Sequence, residues 1–368
     1  MMAQPDISSV KHNYLVPKDG SPILGLIQDH VVSGVLLMLR DNFFSKEDYN
    51  YLVLSAFPET NKRFKTLPPA IIKPYKKWTG KQIVSSVILN VIPGDLPPLT
   101  LDGKAKTKIQ NWRIDGYPMP DQDMSESHVV IRNGELLLGV LDKSHYGATT
   151  FSLIHCVHEL YGPHVSAKLL SCFSRLFTTY LQLHGFTLGV ADILVNKRSD
   201  KKRTKILRQL RKCGPDVVKR AFGLDENASP ETLHRTLQTA YTNANDRTDV
   251  KALDFYMKKA TDGYNDEINK VCIPYGLIRL FPLNALQLMI ESGAKGTMVN
   301  SMQISCMLGQ IELEGCRPPV TAAGRTLPSF KPYDMTPRAG GFVEQRFLTG
   351  IQPQELFFHT MAGREVSN

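Results

Sequence analysis

Ser292-Gly-Ala-Lys-Gly-Thr297, Gly309-Gln-Ile-Glu-Leu-Glu-Gly315, Arg325-Thr-Leu-Pro-Ser-Phe330 and Pro353-Gln-Glu-Leu-Phe-Phe-His-Thr-Met-Ala-Gly-Arg-Glu365 follow one another along the end of the chain. The first is a turn of small residues around one cation. Small residues let backbone amides approach a polyphosphate, and Lys295 adds a point charge that can swing onto it. The spacing differs from the G-x-x-x-x-G-K-[ST] phosphate loop. A plain helix–helix turn with an exposed lysine has the same composition. The last block reads as the start of a helix, with Pro353 at its first position and Glu355 in its first turn. That helix has barely begun when Asn368 is reached, which reads as a piece of something larger.

Working back from there, Asn284 to Glu291 is a short helix leading into the turn. Ser229–Asp262 reads as a polar helix and Lys197–Lys212 as a very basic one, with Ile206, Leu207 and Leu210 on its buried side. The longest helix signal is Pro163 to His184. Leu169, Phe173, Leu176, Phe177, Tyr180 and Leu181 recur there at three and four residues, and Gly185 supplies the stop. Phe186 to Asp192 is a loop or short strand. Val129 to Val140 is a hairpin around Asn133-Gly134, a dipeptide suited to positive φ. Ile92 to Ser127, rich in Pro, Gly and charge, reads as a surface insertion with little fixed structure. Thr79-Gly-Lys-Gln82 fits a capping box for a helix over Ile83 to Leu89. Pro68, Pro69 and Pro74 keep the stretch before it extended. Asp29 is the expected cap of a helix over His30 to Leu39. No internal repeat is visible.

At 368 residues the chain can hold two or three domains, and 42% hydrophobic residues suffice for real cores. A formal charge of +9 favours a polyanionic neighbour, nucleic acid or nucleotide. Cys156, Cys172, Cys213, Cys272, Cys306 and Cys316 form no C-x-x-C pair, so they read as buried thiols of a reducing compartment rather than a zinc ribbon. Met1 to Val10 lacks an apolar signal core, and the apolar run Val31 to Leu39 is short of the ~20 residues of a membrane span. The expectation is a soluble, intracellular protein with no membrane partner.

Three further features have ordinary alternatives. The run Lys197-Arg198, Lys201-Lys-Arg203, Lys205, Arg208, Arg211-Lys212 can track a phosphate backbone, or be a solvated helix face, since it lacks aromatics for stacking bases. His155, His158, His164 and His184 fit no zinc spacing, and Gly162 breaks H-E-x-x-H, so packed or surface histidines are expected. Asp121-Gln-Asp123 is the only D-x-D-like pair, in a stretch where nothing would hold it rigid for two-metal chemistry.

The order of several blocks resembles one family, the largest subunit of eukaryotic multi-subunit DNA-directed RNA polymerases. They are Gly25-Leu-Ile-Gln-Asp-His30, Pro69-Ala-Ile-Ile-Lys-Pro74 with Trp78-Thr-Gly-Lys-Gln82, Gly185-Phe-Thr-Leu-Gly-Val-Ala-Asp192, Gly293-Ala-Lys-Gly-Thr297, Gly309-Gln310 with Glu314-Gly315, Arg325-Thr-Leu-Pro328, Gly341-Phe-Val343 and the terminal block. Tyr14-Leu-Val-Pro-Lys-Asp-Gly20, His158-Glu-Leu-Tyr-Gly162, Phe173-Ser-Arg-Leu-Phe177 and Pro337-Arg-Ala-Gly-Gly-Phe342 look most like the RNA polymerase I branch.

The resemblance implies an α+β fragment. Residues 12–154 would be the pore region (domain 3-like), with the insertion at 92–127. Residues 155–290 would be the helical funnel (domain 4-like). Residues 291–368 would approach the active centre and begin the bridge helix (domain 5-like). Residues 1–11 match nothing in the family. It implies Lys295 and Thr297 as contacts to a nucleoside triphosphate, and Pro353, Glu355, Phe357, Phe358, His359 and Arg364 at the start of the bridge helix. It also implies Mg2+ in the whole enzyme, held by an aspartate triad that this chain does not contain, and no zinc site here. No catalytic residue is therefore expected in the chain, and none of its own activity. Partners would be the second-largest and other subunits, template DNA, product RNA and ribonucleoside triphosphates, in the nucleus and nucleolus. At the helix start Gln352 stands where the family usually has Thr. Readings of other classes are a non-catalytic truncated paralogue that docks on polymerase subunits, and a stand-alone basic nucleic-acid-binding protein.

Overall fold

Thr79 opens the helix Gly80–Val91 through both capping-box bonds. Its Oγ1 accepts from the Gln82 amide at 3.3 Å, and Gln82 Oε1 accepts from the Thr79 amide at 3.1 Å. In the computed structural model, which describes residues 9–58, 63–112, 126–243 and 248–366, this helix lies at the centre of the first of two compact units. Ile83, Val84, Val87 and Ile88 are fully buried in it. Gly80 abuts the C-terminal end of the helix Asp29–Met38, where a Cβ would stand 1.7 Å from the Leu37 carbonyl oxygen. Trp78 stacks on Tyr49 at 5.3 Å and its Nε1 donates to the Leu67 carbonyl. Asp29 does not cap its helix as expected. Gln28, at φ 47°, holds that position without a side-chain bond, and Asp29 sits in the first turn, where its charge suits the helix dipole.

The hairpin forms as predicted from His128–Arg132 and Glu135–Leu138, with Asn133 at φ 52° and Gly134 at φ 82°. It carries a third strand that local sequence patterning does not reveal. Leu101–Lys104 pairs antiparallel with His128–Arg132, inside the stretch expected to be a loose insertion. Leu99 and Thr107 beside it are buried, and Trp112 packs edge-on against Phe281 at 4.9 Å. The strand is four residues long and includes a glycine, so its alternation is too short to stand out from the polar residues around it. Asp121-Gln-Asp123 lies outside the described residues.

Pro163–His184 is helical over the predicted span and ends at Gly185, φ 71°. Phe173 and Phe177 stack at 5.6 Å, and Tyr146 meets both edge-on. Each such buried side chain contributes about 1.5–3 kcal/mol. Residues 281–296 return to this unit.

The second unit comprises residues 189–280 and 297–368. The expected helix Ser229–Asp262 is two helices, Pro230–Thr242 and Thr248–Cys272. The latter, at 25 residues, outruns Pro163–His184 at 22. It buries only the narrow stripe Leu253, Met257, Thr261, Ile268 and Cys272, which explains its weak apolar signal. Phe186–Asp192 ends in a helical turn, Val190–Ile193. Lys197–Leu210 buries Ile206, Leu207 and Leu210 as expected, and also Arg203. A two-residue ladder pairs Gly309–Gln310 with Phe342–Val343. The mixture of helices and small sheets is α+β. Cys172, Cys213, Cys272 and Cys306 are buried, but Cys316 is exposed, contrary to expectation. Among the described residues no helix is long and apolar enough to cross a membrane.

Candidate functional site

The Ser292–Gly296 turn is built from the core outward. Asn284 starts the helix Ala285–Glu291 by accepting from the Gln287 amide, and Leu288 anchors that helix in the core. Gly293 (φ 78°) and Gly296 (φ 81°) then reverse the chain. Ala294 is buried, and the Lys295 amide donates to the Met289 carbonyl at 3.2 Å, which leaves the Lys295 side chain exposed.

Two more lysines lie against this turn. A Cβ on Gly293 would be 2.8 Å from Lys106 Nζ and 3.2 Å from Lys143 Cβ. The buried Asp142 fixes both lysines. Its Oδ2 accepts from the Lys106 amide at 2.5 Å and the Thr107 amide at 3.3 Å. Its Oδ1 accepts from the Ser144 amide and hydroxyl at 2.9 and 2.5 Å. The Lys143 amide donates to the Ser292 carbonyl, and Thr107 Oγ1 to the Glu291 carbonyl. Lys106, Lys108, Lys143 and Lys295 are all exposed here. The opposing charge beside them, Glu291, accepts from Asn111 Nδ2 at 2.5 Å, and burial pushes its carboxyl up from the usual range. The ammonium groups and a close backbone suit an anion with several oxygens. Sequence spacing gives no sign of Lys106, Lys143 or Asp142, because non-local contacts bring them together.

Thr297 belongs to the second unit. Its amide and hydroxyl both donate to Asn300 Oδ1, at 2.9 and 2.5 Å, at the start of the helix Met298–Ser305. The hydroxyl is therefore occupied by its own helix.

The terminal helix is Pro353–Val366. Glu355, buried, accepts from the Gln352 amide at 2.9 Å, so half a capping box replaces a threonine cap. Arg338 Nε is 3.7 Å from the same carboxylate. Phe358 is buried with Ile311 and Val343, and its ring faces Phe330 at 6.1 Å. His359 packs against Phe347, and Glu365 accepts from the Glu314 amide at 2.7 Å. These contacts hold the helix on the segment Gly309–Gly315. Leu356, Phe357 and Arg364 remain exposed.

The histidines are separately occupied. His158 faces the Ser166 hydroxyl at 3.1 Å, with burial lowering its pKa, and His155 lies 3.7 Å from Glu159. His164 meets the His12 ring, and His184 Nδ1 lies 2.8 Å from the Gly185 carbonyl oxygen. Among the described residues no three His, Cys, Asp or Glu side chains are grouped as metal ligands.

Comparison with known proteins agrees with the sequence blocks. The family model for RNA polymerase Rpb1, domain 3, matches residues 13–193, and that for domain 4 matches residues 233–343. The chain is 51% identical to DNA-directed RNA polymerase I subunit RPA1 of Drosophila melanogaster, over 98% of this chain and 22% of that protein. It is 45% identical to the rpa1 subunit of Schizosaccharomyces pombe and 41% to RPA190 of Saccharomyces cerevisiae, each over 98% of this chain and 21% of the relative. The chain thus spans about a fifth of the length of these curated relatives. By these matches it belongs to the Rpb1 family of RNA polymerase largest subunits, in its RNA polymerase I branch.

Proposed function

We propose that this chain forms the nucleotide-entry pore and funnel of an RNA polymerase I largest subunit, which acts in template-directed nucleotidyl transfer for ribosomal RNA. Residues 12–154 are the pore region, 155–290 the funnel, and 291–368 the approach to the active centre and the root of the bridge helix. The supporting observation is the set of lysines held around the Gly293–Gly296 turn by the buried Asp142. Lys295 is the contact to the incoming triphosphate. Thr297 serves by starting the helix after the turn, since its hydroxyl is taken by Asn300. The exposed lysines and arginines of Lys197–Leu210 raise the local concentration of anionic nucleotides. The described residues offer no set of ligands that fits Mg2+, so the role derived for this chain stops at binding and guiding substrate. Partners that go with this function are the second-largest and other subunits, template DNA, product RNA and ribonucleoside triphosphates. The corresponding location is the nucleus, and within it the nucleolus.

The test is Lys295→Ala in the whole polymerase, read by single-nucleotide addition. Lys295 is exposed, so one screened phosphate contact contributes about 1 kcal/mol, or about a fivefold rise in KM for the nucleotide. An unchanged KM and kcat returns Lys295 to an ordinary turn.

A further inference from the structure

Cys272 ends the helix Thr248–Cys272, and Cys306 caps the C-terminal end of Met298–Ser305. Both thiols are fully buried in one apolar cluster and share a hydrogen bond. Two guanidiniums reach the same place. Arg203 Nε donates to the Cys306 carbonyl at 2.5 Å and its Nη2 to the Glu344 carbonyl at 3.0 Å. Arg346 Nη1 donates to the Ser305 carbonyl at 3.0 Å. Both arginines are more than nine-tenths buried, at 7% and 9% exposure.

The charges here do not balance. Asp200 serves both arginines, 3.0 Å from Arg346 Nη1 and 3.8 Å from Arg203 Nη1. The other buried acid at this site, Glu344, is taken by Arg211 at 2.7 Å. Arg346 Nε and Ser305 Oγ are buried without a hydrogen-bond partner. Two buried cations thus share one carboxylate. An anion beside them offsets the cost of burying the second cation, and a thiolate is the anion that these residues can form.

We infer that Cys272 and Cys306 form a peroxide-reactive dithiol, with Cys272 the attacking thiolate and Cys306 the resolving thiol. The acidities have the matching order. The hydrogen bond from Cys306, with help from Arg203 and Arg346, holds Cys272 below the ordinary thiol range against burial. Giving that hydrogen bond, together with burial, raises Cys306. Hydrogen peroxide is the substrate class that fits, because burial excludes bulkier oxidants. The Cys272 thiolate attacks one peroxide oxygen, the S–O bond forms, the O–O bond breaks, and hydroxide leaves with the Cys272 proton as water. The Cys306 thiol then attacks the sulfenic sulfur. The S–S bond forms, the S–O bond breaks, and the hydroxyl leaves with the Cys306 proton as a second water. Two thiols are oxidised and one peroxide is reduced. The product bond ties the ends of two helices next to the Gly309–Gln310 strand. None of this depends on the polymerase function proposed above.

The test treats the full chain with hydrogen peroxide under native conditions, quenches in acid, alkylates and maps peptides by mass spectrometry. The expected product is a peptide pair linked through Cys272 and Cys306, lost in favour of mixed pairings when the same oxidation is done in urea. Cys306→Ser should instead accumulate Cys272 sulfenic acid, trapped by dimedone. Should Cys272 and Cys306 both remain alkylatable after the exposed Cys316 has been fully oxidised, the inference is overturned. It is equally overturned if pairing in the native chain is as mixed as in urea.

Discussion

Gly80→Ala is the sharpest test of how the first unit is packed. A Cβ there would stand 1.7 Å from the Leu37 carbonyl oxygen, whereas real Cβ atoms essentially never come within 3.0 Å of another heavy atom. The helix ends must therefore part by at least 1.3 Å. The obstructing atom is backbone, so no side-chain rotation relieves it. Val31, Val35, Ile83 and Val87 are fully buried here, and a radial gap of that size weakens the dispersion attraction among them by at least a quarter to a half. Overpacking of this kind costs about 3 kcal/mol, and the better helix propensity of alanine returns at most about 1 kcal/mol. The net loss is about 2 kcal/mol, or about 4–8 °C in Tm. Trp78 and Trp112 are the only tryptophans and both lie in this unit, so their fluorescence in a urea titration follows it alone. Gly263→Ala is the matched control, since nothing lies within 4 Å of its Cβ position and the residue is exposed within a helix. It should stabilise the second unit by up to about 1 kcal/mol, read by helical circular dichroism. If Gly80→Ala were as stable as the parent chain, the close approach of the two helices would be refuted.

Glu291→Gln should stabilise the chain at neutral pH. Burial raises the folded-state pKa of this carboxyl, so the stability it contributes is present below the ordinary carboxylate range and is lost as pH rises through the folded value. The advantage of glutamine should shrink in urea titrations run at acid pH, and an advantage independent of pH would contradict the burial argument. Phe358→Ala should cost about 3–5 kcal/mol locally and strip amide-exchange protection from Pro353–Val366, while exposed Phe357→Ala should stay within about 0.5 kcal/mol. Equal effects of the two would mean that the helix does not rest on the Ile311, Val343 and Phe330 cluster.

Signals that operate over a few residues are legible in the sequence. The Thr79–Gln82 capping box, the Asn133-Gly134 hairpin, the basic helix with its buried Ile206, Leu207 and Leu210, and the span Pro163–His184 all depend on neighbours within one or two turns. Where a local rule has a close competitor it fails. The Asp29 side chain suits a cap, but the helix begins one residue earlier than that role requires. The strand Leu101–Lys104 escapes local patterning because its partner, not its own alternation, makes it a strand.

The amino-acid order by itself determined the family, most helix positions and the small-residue turn around Lys295. Those depend on short-range backbone preference and on blocks that survive without their surroundings. Tertiary structure alone decided that Asp142 gathers Lys106 and Lys143 beside that turn. It also decided that Arg203 is buried, and that Cys272 finds Cys306. Each of these joins residues far apart in the chain, and such contacts are chosen by how the core packs and how its buried charges are matched.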